Sequence, residues 1–171
     1  MLIYEREGLG ITNLASFIET HECGSRQVSE ILNVKGCELW TISPDATVLN
    51  ALKLMAEKEI GALVVVDDSD KVIGIISERD YARKIILIGK SSSETTVREI
   101  MSSPVRSVTT SNTTSECMAL MTDKHIRHLP VLDNEKLIQI ISIGDLVKFV
   151  ISEQGYLLRQ FENYITGKYP G

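Results

Sequence analysis

Two short stretches carry the same set of chemically capable side chains. Ser77 and Asp80 stand in "IISERD", and Ser142 and Asp145 stand in "IISIGD", 65 residues further on. In each, an apolar pair leads into a serine, and an aspartate follows three residues later. If the serine marks the passage from strand to helix, the free N–H groups and positive dipole end of that helix suit a phosphate. The hydroxyl adds a rotatable donor. An ionised aspartate is acceptor-only and has room for both hydroxyls of a ribose. The set can therefore hold a ribose phosphate, with an apolar slot between strands for a base. The same spacing also fits a purely local purpose. S-x-x-D is close to a capping box, in which the N-cap serine and the N3 acid each satisfy a free backbone N–H. The residues alone leave both readings open. Arg83 follows Arg79 by four residues, so one helix face can present both to a phosphate or pair them with glutamates.

Catalytic signatures are absent from the sequence. There is no GxSxG, HExxH or GxxxxGK[ST], and the three histidines lack metal-ligand spacing. "GLGITNLASF" lacks G-x-G-x-x-G and follows no strand, so it fits a dinucleotide site poorly. The expectation is a non-enzyme with no catalytic residue and no metal site. Three classes stay in view: a ligand-binding regulatory module, an interaction protein whose S-x-x-D units are only caps, and an enzyme of unrecognised type.

The elements that must position these side chains come in duplicate. Thr47, Met55, Lys58, Ile60, Leu63, Val65 and Asp67 recur 66 residues later as Thr113, Met121, Lys124, Ile126, Leu129, Val131 and Asp133. One residue is dropped in the polar turn "DDSDK" against "DNEK", where length change is cheap. "VSEIL" at Val28 echoes "VREIM" at Val97. The expected organisation is an N-terminal arm (1–27), a first repeat (28–88), a linker "GKSSSETT" (89–96), a second repeat (97–151) and a C-terminal helix and tail (152–171). Within a repeat the order reads β-α-β-β-α: a short strand at 39–42, a helix with Val48, Ala51, Leu52 and Met55 on one face, strands at 62–67 and 71–77, and a helix over 78–88 with Tyr81, Ile85 and Ile88 on one side. One copy of about 55 residues buries little surface, so two copies are expected to pack sheet to sheet around a shared core. Leu157, Phe161, Tyr164 and Ile165 predict a further helix over 156–167, folded on its own core or on a partner subunit.

The bulk numbers exclude several partners. A net charge of −5 weighs against broad binding of nucleic acid. No apolar run approaches a membrane span, and "MLIYEREGLGITNLASF" resembles neither a signal nor a transit peptide. Cys23, Cys37 and Cys117 form no CxxC, which favours a reducing, cytoplasmic setting; Cys117 reads as a small buried hydrophobe.

The duplicated unit resembles the CBS domain, and the pair resembles a CBS-pair (Bateman) module. "TISPDATVLNALKLMAEKEIGALVVVD" with "VIGIISERD", and "ALMTDKHIRHLPVLD" with "LIQIISIGDL", carry the resemblance over about 28–151. It implies an α+β fold of tandem repeats packed as a pseudo-twofold pair. It also implies a regulatory module that binds AMP, ADP, ATP or NAD(H), with Mg²⁺ entering only beside ATP, and that reports energy or redox state to a partner. A homodimer is implied too, with apolar stripes exposed on the helices Val48–Lys58 and Thr114–Lys124. In the signature G-h-h-[ST]-x-x-D, phosphate and ribose fall to Ser77 and Asp80, and to Ser142 and Asp145. The signature's glycine gives the ligand room; Gly74 matches it and Gln139 does not. Arg79 supplies a phosphate-facing charge that Gly144 lacks. Arg127 and His128 replace Gly61 and Ala62 and are expected to supply that charge to the second site.

Overall fold

The computed structural model of the chain describes residues 26–36 and 38–166, the side chains of 157 and 160–166 excepted. In chain order the elements are α1 (Val28–Lys35), β1 (Thr41–Ile42), α2 (Val48–Lys58), β2 (Ala62–Val66), β3 (Val72–Ser77), α3 (Glu78–Lys84), a 3-10 turn (Ile86–Ile88), α4 (Val97–Ile100), β4 (Val108–Thr109), α5 (Thr114–Asp123), β5 (His128–Asp133), β6 (Lys136–Ser142) and α6 (Ile143–Thr166). The α+β tandem expected from the duplication is present. Each repeat holds one three-stranded sheet, ordered β1-β2-β3 and β4-β5-β6. The first pair of strands is parallel and the second antiparallel in both. Ala62 lies opposite Ser77, and His128 opposite Ser142, so each key serine ends its strand at the same register.

Local sequence accounts for the helices. Thr47 caps α2 by accepting the Asn50 N–H, and Thr113 caps α5 with a capping box completed by Glu116. Val48, Ala51 and Met55 are buried along α2, and Thr114, Cys117 and Met121 along α5. Burial, with Glu116 beside it, pushes the Cys117 thiol up to about 11, so it behaves as the expected small hydrophobe.

The buried interior is two clusters rather than one. One gathers Val48, Met55, Leu63, Val65, Ile76 and Ile85; the other gathers Val108, Cys117, Met121, Leu129, Val131, Ile141 and Leu146. What joins them is an exchange of the lead-in helices. Val97 and Ile100 of α4 are buried in the first cluster, while Val28 and Ile31 of α1 are buried in the second. The backbone repeats the exchange. Gln27 bridges Thr113, and Thr96 bridges Thr47. The N–H groups at the start of α2 are met by Thr95 and Ser92 carbonyls, and the first N–H of α5 by the Arg26 carbonyl. Each lead-in thus supplies acceptors that the other repeat's helix lacks. Arg26 adds an ion pair to Glu153 of α6 at 3.0 Å.

Three expectations need correction. The helix read over 78–88 stops at Lys84: Ile85 still bonds the Tyr81 carbonyl but at a widened φ of −112°, the chain tightens to a 3-10 turn over Ile86–Ile88, and Gly89 closes it with φ +72°. Ile85 stays buried, but Ile88 is exposed. The separate helix read over 156–167 is instead the continuation of α6; the side chains of Leu157, Phe161, Tyr164 and Ile165 lie outside the described residues. The large apolar residues of α2 and α5 are buried or half-buried, most of them against their own clusters. The exposed large apolar side chains gather mostly on the 3-10 turn (Ile86, Leu87, Ile88) and on α6 (Val147, Ile151, Tyr156, Leu158), with Val34 on α1 and Ile138 on β6 besides. Residues 1–25 of the proposed arm lie outside the described residues, as do Cys23 and Cys37. Among the described residues no helix is long and apolar enough to cross a membrane.

Candidate functional site

Ser77 ends β3 and caps α3. Its hydroxyl accepts the Asp80 N–H at 3.3 Å, while Asp80 Oδ2 accepts the Ser77 N–H at 3.0 Å and the Ser77 hydroxyl at 2.6 Å. The second copy repeats this: Asp145 Oδ2 accepts the Ser142 N–H at 2.7 Å and the hydroxyl at 2.8 Å, and the Asp145 N–H reaches Ser142 Oγ at 3.2 Å. The capping reading is therefore satisfied in both repeats. It also limits the phosphate reading. The Glu78 N–H is taken by the Gly61 carbonyl and the Ile143 N–H by the Arg127 carbonyl, so with the caps made most N–H groups of each helix start are already bonded. A phosphate would have to be met mainly by side chains.

Those side chains exist on one cleft of about 380 Å³. Its lining comes from the β3–α3 junction, the α5–β5 turn and residues 102–106 after α4. Ser77, Arg79, Asp80, Arg83, Arg127 and His128 all line it; Ser142 and Asp145 do not. Arg127 and His128, expected to serve the second serine and aspartate, thus also line the first repeat's cleft, while His128 stays opposite Ser142 and within the field of Asp145. The antiparallel register brings the start of β5 beside Ser142, but the α5–β5 turn faces the first repeat, and the His128 ring approaches Gly61. Gly61, without a side chain, leaves the room that the His128 ring enters.

The cleft is cationic on an acidic chain. Arg79, Arg83, Lys84, Arg106 and Arg127 line it, against Glu78 and Asp80. Arg79 is committed to the His125 carbonyl at 2.8 Å, which ties α3 to the second repeat. The guanidinium groups of Arg83, Arg106 and Arg127 are exposed and have no hydrogen bond or ion pair with the other described residues. His128 has its pKa lowered by burial first, then by Lys35 and Arg127, with Asp145 opposing. It is neutral near pH 7 and offers a hydrogen bond rather than the charge expected of it.

Both aspartates stay ionised. Burial works to raise Asp80, but the Ser77 hydrogen bond, Lys84 at 2.9 Å and the Ser102 hydroxyl at 3.1 Å outweigh it and hold the carboxyl below the usual range. Burial likewise opposes the shift at Asp145, where Lys35 at 2.6 Å and the Ser142 donors prevail. Lys84, Lys35 and Ser102 were missed from the sequence. Lys84 was findable, since it follows Asp80 by four residues on one helix. Lys35 lies 110 residues from Asp145, and no sequence signal links them. Gly74 also has a packing reason. A Cβ there would overlap the Met101 side chain, so the glycine lets the exchanged lead-in approach β3. In the second repeat Gln139, buried, instead bonds the Gly36 carbonyl at 3.1 Å. Among the described residues no group of His, Cys, Asp and Glu could hold a metal ion.

Two sheets with exchanged lead-ins and a shared cleft define a tandem α+β pair. The family model for the CBS domain matches residues 28–87 and 97–152, and the chain belongs to that family. It is 40% identical over 154 residues to the mitochondrial CBS domain-containing protein CBSX3 of Arabidopsis thaliana, covering 85% of this chain and 74% of that one. A solved protein with CBS domains from Burkholderia ambifaria MC40-6 is 55% identical with a TM-score of 0.73, over 75% of this chain and 96% of that one. A CBS domain pair solved with 5-methylthioadenosine and S-adenosyl-L-methionine is 23% identical with a TM-score of 0.67, covers 75% of this chain and 98% of that one, and shows the fold alone. CBS pairs are regulatory modules, and that coarse class holds for this chain.

Proposed function

We propose that this chain is a non-catalytic sensor that binds an adenosine nucleotide carrying a phosphate chain in the cleft at the β3–α3 junction and passes that state to a protein partner. The observation that carries the reading is the set of Arg83, Arg106 and Arg127, exposed on the cleft beside a capped, ionised Asp80. Structural arginines would be matched to carboxylates or carbonyls; phosphate oxygens are what these forks fit. Asp80 is the acceptor for ribose hydroxyls, and Ile75 and Val105 offer apolar surface for the base. A volume of about 380 Å³ lies within the range of small-ligand sites. Ser142 and Asp145 form a second half-site of the same chemistry, with Lys35 in place of the arginines. Mg²⁺ would enter only with ATP's phosphates.

The cationic lining orders the candidates. ATP and ADP fit it better than AMP, and S-adenosylmethionine, whose sulfonium is positive, fits it least. Calorimetric titration of ATP, ADP, AMP, NADH and S-adenosylmethionine tests this, with Arg127→Ala alongside. Affinity should fall from ATP to AMP, and Arg127→Ala should weaken ATP more than AMP. Tighter binding of S-adenosylmethionine than of ATP would overturn the phosphate assignment.

A further inference from the structure

The carboxylate that would receive the ribose is already occupied from within. Asp80 Oδ2 serves the cap. Asp80 Oδ1, the oxygen left for a ligand, accepts the Ser102 hydroxyl at 3.1 Å and the Lys84 ammonium at 2.9 Å. One hydroxyl and one ammonium thus stand where two ribose hydroxyls would stand. The same ammonium donates to the Ile100 carbonyl at 2.6 Å, at the end of α4. Ser102 also belongs to the exchanged lead-in, bridged by its backbone to Ile75 of β3. The second repeat shows the same theme with different parts: Lys35, the last residue of α1, contacts Asp145 and the Ile140 carbonyl, both at 2.6 Å. In both repeats the ligand's carboxylate is a fastening point for the lead-in that came from the other repeat.

We propose that Lys84, with Ser102, is a built-in competitor for the ribose-binding carboxylate, so that a nucleoside displaces Lys84 from Asp80 and loosens the contact between α3 and the exchanged lead-in. The proposal rests on the reading of the cleft as an adenosine site. It makes the site self-closing when empty. It also gives binding a mechanical output, because the displaced group is one of the links between the two repeats. Both partners are partly buried, with side-chain exposures of 39% and 14%, so the pair competes without the full strength of a dry ion pair.

Adenosine is the discriminating probe, because it has the diol but no phosphate that a freed lysine could meet. Its affinity would be measured by NMR titration, which reads millimolar binding, for the wild type, Lys84→Met and Lys84→Arg. Lys84→Met should bind adenosine about five-fold more tightly, the equivalent of ~1 kcal/mol. Lys84→Arg, which keeps the charge, should stay close to wild type, and the gain should vanish for 2′,3′-dideoxyadenosine. If Lys84→Met binds adenosine equally or more weakly than wild type, the competitor role is wrong even where ATP binds normally. If neither ATP nor adenosine binds any of the three proteins, the adenosine reading itself fails and the competitor role falls with it.

Discussion

Replacing Asp80 by alanine should cost far more stability than its surface position in sequence suggests. The side chain is 14% exposed and accepts four bonds: the Ser77 N–H, the Ser77 hydroxyl, the Ser102 hydroxyl and the Lys84 ammonium. Loss of the cap alone costs ~1 kcal/mol. The Lys84 pair adds up to about 0.5 kcal/mol after allowance for its exposure. The Ser102 bond adds roughly 0.5 kcal/mol, since that hydroxyl can turn to water. The sum is about 2 kcal/mol, or a fall in melting temperature of roughly 4–8 °C for a chain of this size. Asp45→Ala is the control. Asp45 also holds an ion pair across the repeats, to Arg98 at 2.9 Å, but the two side chains are 75% and 54% exposed. Its loss should cost less than ~0.5 kcal/mol. Urea denaturation of the two variants provides the comparison. If Asp80→Ala costs no more than Asp45→Ala, the carboxylate is not the fastening point described above.

Other outcomes follow from the same contacts. Ile31→Ala removes a side chain buried in the second cluster although it belongs to the first repeat's lead-in; it should cost about 2–4 kcal/mol, and hydrogen exchange should rise in β4–β6 rather than in β1–β3. Stability should fall on acidification in two steps: His128 has a depressed pKa, so its contribution is present above about 6.5 and is lost as pH drops through its folded value, and Asp80 and Asp145 lose theirs below about 3.8, which pH-dependent denaturation will resolve. A homodimer is proposed, with Val147, Ile151 and Leu158 on α6 as the exposed apolar row, and Ile151→Lys should shift the mass measured by light scattering toward a monomer.

The duplication made most of the fold legible. Matching residues 66 apart had to occupy matching places, and both sheets keep the same strand order and serine register. The caps were legible because they are local: each involves residues three apart. The exchange of α1 and α4 was not, because periodicity shows that a helix has a buried face but not which cluster buries it. The two repeats share their interior through that exchange, in two clusters rather than one. Among site residues, Ser77, Arg79, Asp80 and Arg83 fall together because one strand–helix junction carries them. Arg127 and His128 also reach that cleft, although His128 stays opposite Ser142, because a turn's direction depends on how the repeats face each other. The change at Ile85 was hidden because Tyr81, Ile85 and Ile88 keep an α-helical spacing while the backbone tightens to a 3-10 turn.

The central claim is that Asp80 holds the ribose of an adenosine nucleotide, and altering the ligand tests it without altering the fold. Calorimetry would compare ATP with 2′,3′-dideoxy-ATP on the wild type and on Asp80→Asn. The wild type should bind ATP about one to two decades more tightly than the dideoxy analogue, the weight of a charge-assisted bond of ~1.5–3 kcal/mol. Asp80→Asn should erase most of that difference. Equal affinity of the wild type for both ligands, or no heat from either, would contradict the claim and leave the serine and aspartate as helix caps alone.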